Sequence, residues 1–246
     1  MKAMVLAAGL GTRLRPLTDS RPKALVKING RTLLEITLSR LRAFGVREVI
    51  VNVHHFADMV AEYLASQQNF GMRIEVSRED DVLLDTGGGL KKAAWFFLED
   101  GGDEPFLLHN VDVMSDIDLA QMVAFHREHE ALATLAVQQR DSSRFLLFDE
   151  QGLLCGRRFE TEDRTELARH AKSLQPLAFC GIHVISPRLL TMMSENGAFS
   201  IIEAYLRLAV QGESIMAFRA DDADWRDLGT VDSLRQAAEQ APHLPS

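Results

Sequence analysis

Leu6-Ala-Ala-Gly-Leu-Gly-Thr-Arg-Leu-Arg-Pro16 ends the apolar run that starts at Lys2. Lys2–Ala8 reads as a short buried strand, and a glycine loop follows it at once. Glycines at the carboxyl end of a strand let backbone approach a ligand and turn N–H groups toward phosphate. In an open parallel sheet that end is where ligands bind. Arg13 and Arg15 put positive charge beside those amides, as a polyphosphate requires. The segment is not Gly-x-Gly-x-x-Gly, because Leu14 breaks the spacing, and it lacks the Gly-Lys-Ser/Thr of a P-loop.

Downstream, apolar spacing predicts a helix over Thr32–Phe44 with Gly45 as its stop, a strand over Glu48–Val53, and a helix over Ala57–Ala65. A strand over Met72–Ser77, a helix over Leu90–Leu98 and a strand over Phe106–Val113 complete a βαβαβαβ order. Such alternation implies a mostly parallel sheet with helices on both faces. The second half is less regular. A helix is expected over Ile117–His129, a strand over Ala133–Gln138, and a hairpin from Phe145–Asp149 and Leu153–Phe159. The charged stretch Arg157–Lys172 reads as a mobile loop. Leu177–Ile185 and Ile215–Arg219 read as strands; Pro187–Met193, Ser200–Val210 and Val231–Gln240 read as helices. The chain is thus expected to form one domain over 1–240, with a nucleotide-binding half (1–115), an acceptor half (116–240) and a frayed tail, 241–246.

Four further segments carry chemistry. In Ser20-Arg-Pro-Lys-Ala-Leu-Val26, Pro22 stiffens the backbone ahead of Lys23, which could reach back to the same phosphates. In Leu84-Asp-Thr-Gly-Gly-Gly-Leu-Lys-Lys-Ala-Ala94, three glycines before a helix cost stability, about 0.5–1 kcal/mol each relative to alanine. They make sense if backbone lies flat against a base or sugar. In Leu107-Leu-His-Asn-Val-Asp-Val113, an aspartate at a strand end is a natural Mg²⁺ ligand. In Asp224-Trp-Arg-Asp-Leu-Gly-Thr230, Asp227 is a second metal ligand or a helix cap.

The 246 residues, 46% hydrophobic, suffice for a sizeable core. A formal net charge of -8 argues against nonspecific binding to nucleic acid or to an anionic membrane. No apolar run approaches the ~18 residues of a membrane span, and the first residues are too short for a signal peptide. A cytoplasmic protein is expected. Cys155 and Cys180 sit in apolar sequence and read as buried hydrophobes rather than a disulfide framework. His54, His55 and His109 lie near strand ends, but the spacing matches no zinc site.

Together the five segments resemble the nucleotide-sugar pyrophosphorylases, or sugar-1-phosphate nucleotidylyltransferases. The matching motifs are Ala-Ala-Gly-x-Gly-Thr-Arg-Leu-x-Pro-Leu-Thr at 7–18, Pro-Lys-Ala-Leu at 22–25 and Thr-Gly-Gly-Gly-Leu at 86–90, followed by Asp112 and Trp-x-Asp-x-Gly-Thr at 225–230. The resemblance is to compact members such as N-acetylmuramate 1-phosphate uridylyltransferase. It implies the nucleotide-diphospho-sugar transferase fold, a Rossmann-like, mostly parallel mixed α/β sheet with helices on both faces. It also implies transfer of a nucleoside monophosphate from a nucleoside triphosphate to a sugar 1-phosphate with Mg²⁺, by a monomer or small homo-oligomer.

On this resemblance Ala8, Gly9, Gly11, Thr12 and Arg13 hold the triphosphate, and Lys23 stabilises the α-phosphate region. Gly87 and Gly88 face the base, Asn110 and Gly181 line the sugar pocket, and Asp112 and Asp227 hold Mg²⁺. Arg13, Lys23 and Asp112 are the catalytic set. Two departures stand out. Val111 replaces the glycine that usually precedes the metal aspartate. A Glu-Lys-Pro ahead of the sugar-side strand, whose lysine meets the acceptor phosphate, is missing; Arg157, Arg158 and Lys172 are the candidates to replace it. The competing readings are another phosphorylated acceptor such as phosphocholine, a non-catalytic nucleotide-binding relative, and a dinucleotide-dependent oxidoreductase, which the broken glycine spacing opposes.

Overall fold

A computed structural model of the chain describes residues 1–99 and 101–240. The tail expected to fray, 241–246, lies outside the described residues. The first half runs β1 (Lys2–Leu6), β2 (Lys27–Ile28), β3 (Arg31–Thr32), α1 (Leu33–Phe44), β4 (Glu48–Val53), α2 (Ala57–Ser66), β5 (Arg73–Arg78), α3 (Asp85–Lys92), α4 (Ala94–Leu98), β6 (Phe106–Asn110) and β7 (Val113–Ser115). The second half runs α5 (Leu119–Glu128), β8 (Ala133–Gln138), β9 (Arg144–Phe148), β10 (Leu154–Phe159), β11 (Arg164–Leu167), β12 (Gln175–Ile185), α6 (Arg188–Met192), α7 (Ile201–Val210), β13 (Ile215–Arg219), β14 (Trp225–Asp227) and α8 (Val231–Gln240).

The main sheet follows the order β11-β10-β9-β12-β6-β1-β4-β5, with β8 and β13 branching from β12. β1 pairs in parallel with β4 and β6, and β4 with β5. β12 enters antiparallel and joins the two halves: Gln175–Leu177 pair with β9, and Ile182–Ile185 pair with β6. Strand alternation sends Ala3, Val5, Val49 and Val51 into one buried cluster, with α1, α2, α5 and α8. Met4, Leu6 and Ile50 enter the other, with α3, α4, α6 and α7. Apolar residues at successive positions of β1 and β4 are what a strand covered on both faces needs.

Local signals set the helix ends. Thr32 Oγ1 accepts from the Glu35 N–H at 3.0 Å, and Gly45, at φ 106°, closes α1 through the Arg42 and Leu41 carbonyls. Three expectations are corrected. The strand expected over Phe106–Val113 breaks at Val111–Asp112, and β7 leaves to pair with β14. The glycine triplet lies inside α3 rather than before a helix. The charged Arg157–Lys172 stretch is not a loop throughout: β10 and β11 pair across it, and Arg157 and Glu166, directly opposite, form an ion pair at 2.7 Å.

Three histidines are buried within this frame. His126 bridges Thr134 and Ser186, His183 meets the Tyr205 hydroxyl, and His109 Nε2 accepts from Arg40. Burial above all pushes His109 and His183 down to about 3 and His126 to about 4, from an ordinary 6.5. All three are neutral when folded, whereas the unfolded chain takes up protons below pH 6.5. Their contribution to stability is therefore complete above that pH and is lost as pH falls, at up to about 1.4 kcal/mol per pH unit for each. Urea unfolding between pH 7.5 and 5.5, above the range where carboxylates titrate, should show a decline beginning near 6.5. A flat profile over that window would contradict it.

Candidate active site

The site assembles at the carboxyl ends of β1, β4 and β6. A cavity of about 440 Å³ there is bordered by Ala8, Gly9, Lys23, Asn110, Val111 and Asp112, with Asn52 and Thr86 also on its wall. β6 stops at Asn110, the Val111 N–H donates to the Leu6 carbonyl at 3.1 Å, and Asp112 emerges into the cavity. Lys23 enters from a 3₁₀ turn set by Pro22, which has φ -68°. Its Nζ donates to Asp112 Oδ2. Both side chains are largely buried, at 11% and 17% exposure, so each depends on the other for charge compensation.

Asp227 reaches the same place by a non-local route. β14 pairs with β7, setting Asp227 opposite Val113, and the Leu228 N–H donates to the Asp112 carbonyl at 2.8 Å. Asp227 Oδ1 accepts from the Gly229 N–H at 2.6 Å, and Oδ2 stands 4.0 Å from Arg13. That exposed pair is worth little by itself, leaving both groups available to a ligand. A Cβ at position 229 would lie 2.5 and 2.7 Å from the tips of Asp227 and Arg13, so glycine leaves room for these two groups as they stand. Gly11, at φ 64°, backs the loop against Thr18 and Lys23. Gly11, exposed Thr12 and Arg13 lie on the glycine loop without bordering the cavity itself.

A buried polar chain holds the loop in place. Asn52 accepts from the Ala7 N–H and donates to Glu79 at 2.7 Å, and Glu79 accepts from the Leu84 N–H. It joins the ends of β1, β4 and β5 to the start of α3. Sequence patterning missed Asn52 and Glu79, because an isolated polar residue at a strand end carries no motif. Arg40 was missed too: it links His109, Ser115 and the Ile117 carbonyl. Since Arg40 can only donate, His109 Nε2 accepts and its Nδ1–H goes to the Asn110 carbonyl at 2.8 Å. His109 is therefore a structural group.

Gly87 and Gly88, expected to face a base, are packed against residues 197–199. Both are buried, and both N–H groups donate to the Phe199 carbonyl. A Cβ at 87 would collide with the Phe199 ring, one at 88 would collide with the Gly197 carbonyl, and one at 89 would meet Asn52 and Glu79. The glycines let α3 pack against 197–201 and the polar chain. Thr86 and Asp85 of the same motif are the ones that border the cavity. Val111, the departure from the glycine pattern, is buried among α1-side residues while forming part of the cavity wall.

A second cavity of about 490 Å³ adjoins the first through Asp85, Thr86 and Asn110. Phe179 and Arg144 border it, as do Arg157 and Arg164. Gly181, at φ 72°, is packed so tightly against Asn110 that a Cβ at 181 would lie 2.8 Å from its amide nitrogen. Of the three candidate basic residues, Arg157 lines this cavity and Arg158 stacks on Phe145 beside it. Lys172 lines a separate pocket with Asp149–Gln151. Cys155 and Cys180 are buried free thiols, and burial pushes Cys180 up to about 11.

Residues 2–243 match the nucleotidyl transferase family. The chain belongs to that family. It is 35% identical to N-acetylmuramate alpha-1-phosphate uridylyltransferase of Caulobacter vibrioides, over 85% of each chain. It is 30% identical to UTP–glucose-1-phosphate uridylyltransferase of Synechocystis over 96% of its own length and 62% of that protein's. The fold is shared with a putative glucose-1-phosphate thymidylyltransferase from Bacillus anthracis (TM-score 0.79, 18% identity, 100% and 97% coverage). It is shared also with HddC from Yersinia pseudotuberculosis complexed with GMP-PN (TM-score 0.73, 20% identity, 97% and 98% coverage). Among the described residues no helix of this nucleotidyl transferase is long and apolar enough to cross a membrane.

The glycine packing is open to direct test. Alanine favours a helix over glycine by about 1 kcal/mol. Because a methyl at 88 meets a backbone carbonyl, Gly88→Ala should instead destabilise the protein by about 1–3 kcal/mol. The urea midpoint measures this; an unchanged or raised midpoint would show that α3 does not depend on the close approach.

Proposed function

We propose that the protein transfers a nucleoside monophosphate from a nucleoside triphosphate to a sugar 1-phosphate, forming a nucleotide sugar and pyrophosphate. The observation that carries this reading is the convergence of Lys23 on Asp112 in a cavity floored by the glycine loop, with Arg13 and Asp227 beside it. The similarity to two uridylyltransferases over most of this chain supports it.

An oxygen of the acceptor phosphate attacks the α-phosphorus in line, a new P–O bond forms, and the bond to the β-phosphate breaks. Both reactants carry the needed electron pair or leaving group, so no side-chain nucleophile is required. The protein's task is to hold two anions together and to neutralise developing charge. Loop amides around Ala8 and Gly9 receive the triphosphate, Arg13 meets its outer oxygens, and Lys23 turns from Asp112 toward the α-phosphate. The cavity of Asn110 and Phe179 takes the sugar, with Gly181 backing Asn110, so that residues 116–240 supply most of the acceptor side.

Asp112 and Asp227 fit Mg²⁺ by chemistry: they are two hard carboxylate donors brought to one edge by the β7–β14 pairing. When bound, Mg²⁺ supplies Lewis-acid polarisation of phosphoryl oxygens. The fit of Mg²⁺ and a cytoplasmic location are part of this proposal.

Pyrophosphate release from a matrix of nucleoside triphosphates and sugar 1-phosphates with Mg²⁺ tests the reading; silence across all combinations would sink it. Lys23→Ala should lower kcat by about 100-fold or more, as loss of a preorganised charge does, while melting stays cooperative. Asp112→Asn should abolish Mg²⁺-dependent turnover. Wild-type kcat in either variant would remove that residue from the mechanism.

A further inference from the structure

The second cavity has a wall unlike the rest of this acidic chain. β9, β10 and β11 lie side by side, and their register sets Arg144 and Arg164 on either side of Phe159. Arg157, two residues before Phe159, projects on the same face. The guanidinium carbons of Arg164, Arg157 and Arg144 lie 4.2, 5.0 and 6.0 Å from the centre of the Phe159 ring. Three cations thus gather on one aromatic ring. Their compensation is incomplete. Arg157 and Arg164 share Glu166, at 2.7 and 3.4 Å, and Arg164 also stands 3.5 Å from Glu162. Arg144 makes no ion pair among the described residues. Phe159 is half-buried, and a cation–π contact there is worth about 0.5–2 kcal/mol, a weak structural reason for crowding three like charges.

Resting on the transferase reading above, we propose that the acceptor carries a second anionic group, a carboxylate or a phosphate remote from its reacting phosphate, and that Arg144, Arg157 and Arg164 recognise it. The two cavities decide the orientation. Lys23 and Asp112 border the first and not the second; the three arginines border the second and not the first. The reacting phosphate belongs beside Asp112, at the junction marked by Asn110, against which Gly181 packs. Phe179, which shares the arginine-lined cavity, lies two residues from Gly181 along β12, about 7 Å at strand rise. A sugar whose phosphate sits at the junction therefore presents its far end to the arginine wall. Phe179 and Phe159 offer apolar faces to the ring between them. Glu203 and Glu162, also on the wall, suit sugar hydroxyls.

The test compares initial rates for matched acceptors, using the triphosphate the protein accepts and Mg²⁺. Glucose 1-phosphate is set against glucuronate 1-phosphate and glucose 1,6-bisphosphate, and N-acetylglucosamine 1-phosphate against N-acetylmuramate 1-phosphate. At least one acceptor with the extra anion should exceed its neutral counterpart in kcat/KM by about 10-fold or more, the effect of one charge-assisted hydrogen bond. The difference should lie mainly in KM, and the carboxylate and bisphosphate arms separate the two kinds of anion. In Arg144→Gln and Arg157→Gln the ratio should fall toward one, and Arg144→Lys should keep part of it. A thermal shift with the triphosphate verifies that each variant is folded. Neutral acceptors used as well as the acidic ones would overturn the inference and leave the transferase reading intact. So would variants that raise KM equally for both members of a pair, since the wall would then read the common phosphate. No turnover on any acceptor would defeat both.

Discussion

The ion pair between Lys23 and Asp112 is the interaction around which the site is built. Neither side chain has enough water to remain charged cheaply alone, so the geometry that brings them together constrains everything near them. Asp112 is delivered by a break in the strand that would otherwise carry it onward: β6 ends, the Val111 N–H is taken by Leu6, and the Asp112 carbonyl is taken by Leu228. Lys23 is delivered by a proline-stiffened turn that packs on Gly11. The loop, the strand end and the returning β14 are thereby tied to one point. An anionic ligand that takes Lys23 from Asp112 leaves that carboxylate in need of another cation.

Around that point lies a buried polar layer that holds the loop and the strand ends still. Asn52 and Glu79 link the glycine loop to α3, and Gly89 lets the helix come close enough for both side chains to be buried and bonded. Buried polar groups of this kind are costly unless paired. Their complete pairing makes the cavity wall rigid, which suits a reaction driven by positioning rather than by a nucleophile. The histidines serve the same end as neutral hydrogen-bonding groups within the core.

Charge is distributed with a purpose in a chain of net charge -8. Lys23 lines the first cavity and Arg13 stands by Asp227, while Arg144, Arg157 and Arg164 form a separate wall on the second cavity. Elsewhere arginines are mostly matched by carboxylates, as with Arg73 between Glu48 and Glu99 or Arg207 on Glu195. In the arginine wall Arg157 and Arg164 share Glu166, and Arg144 stands without an ion pair among the described residues, because β9, β10 and β11 stack their cationic positions on one face.

The sequence alone determined the parallel βα half, the capped helix α1 and the glycine loop at the end of β1. Each rests on a local signal: apolar periodicity, a glycine stop, or a strand run straight into glycine. It also marked Ala8, Gly9, Lys23, Asn110 and Asp112, which border one cavity. Only the tertiary structure decided what the glycine triplet is for, because the partners of Gly87 and Gly88 lie more than a hundred positions away at 197–199. Only it could turn Arg157–Lys172 from an expected loop into paired strands, since alternating charge looks solvated until an opposite strand supplies the matching residue. The placing of Asp227 opposite Val113, one residue from Asp112, is of the same kind: residues far apart in the chain come together through backbone pairing of β7 with β14, and no local pattern encodes which distant strand will arrive.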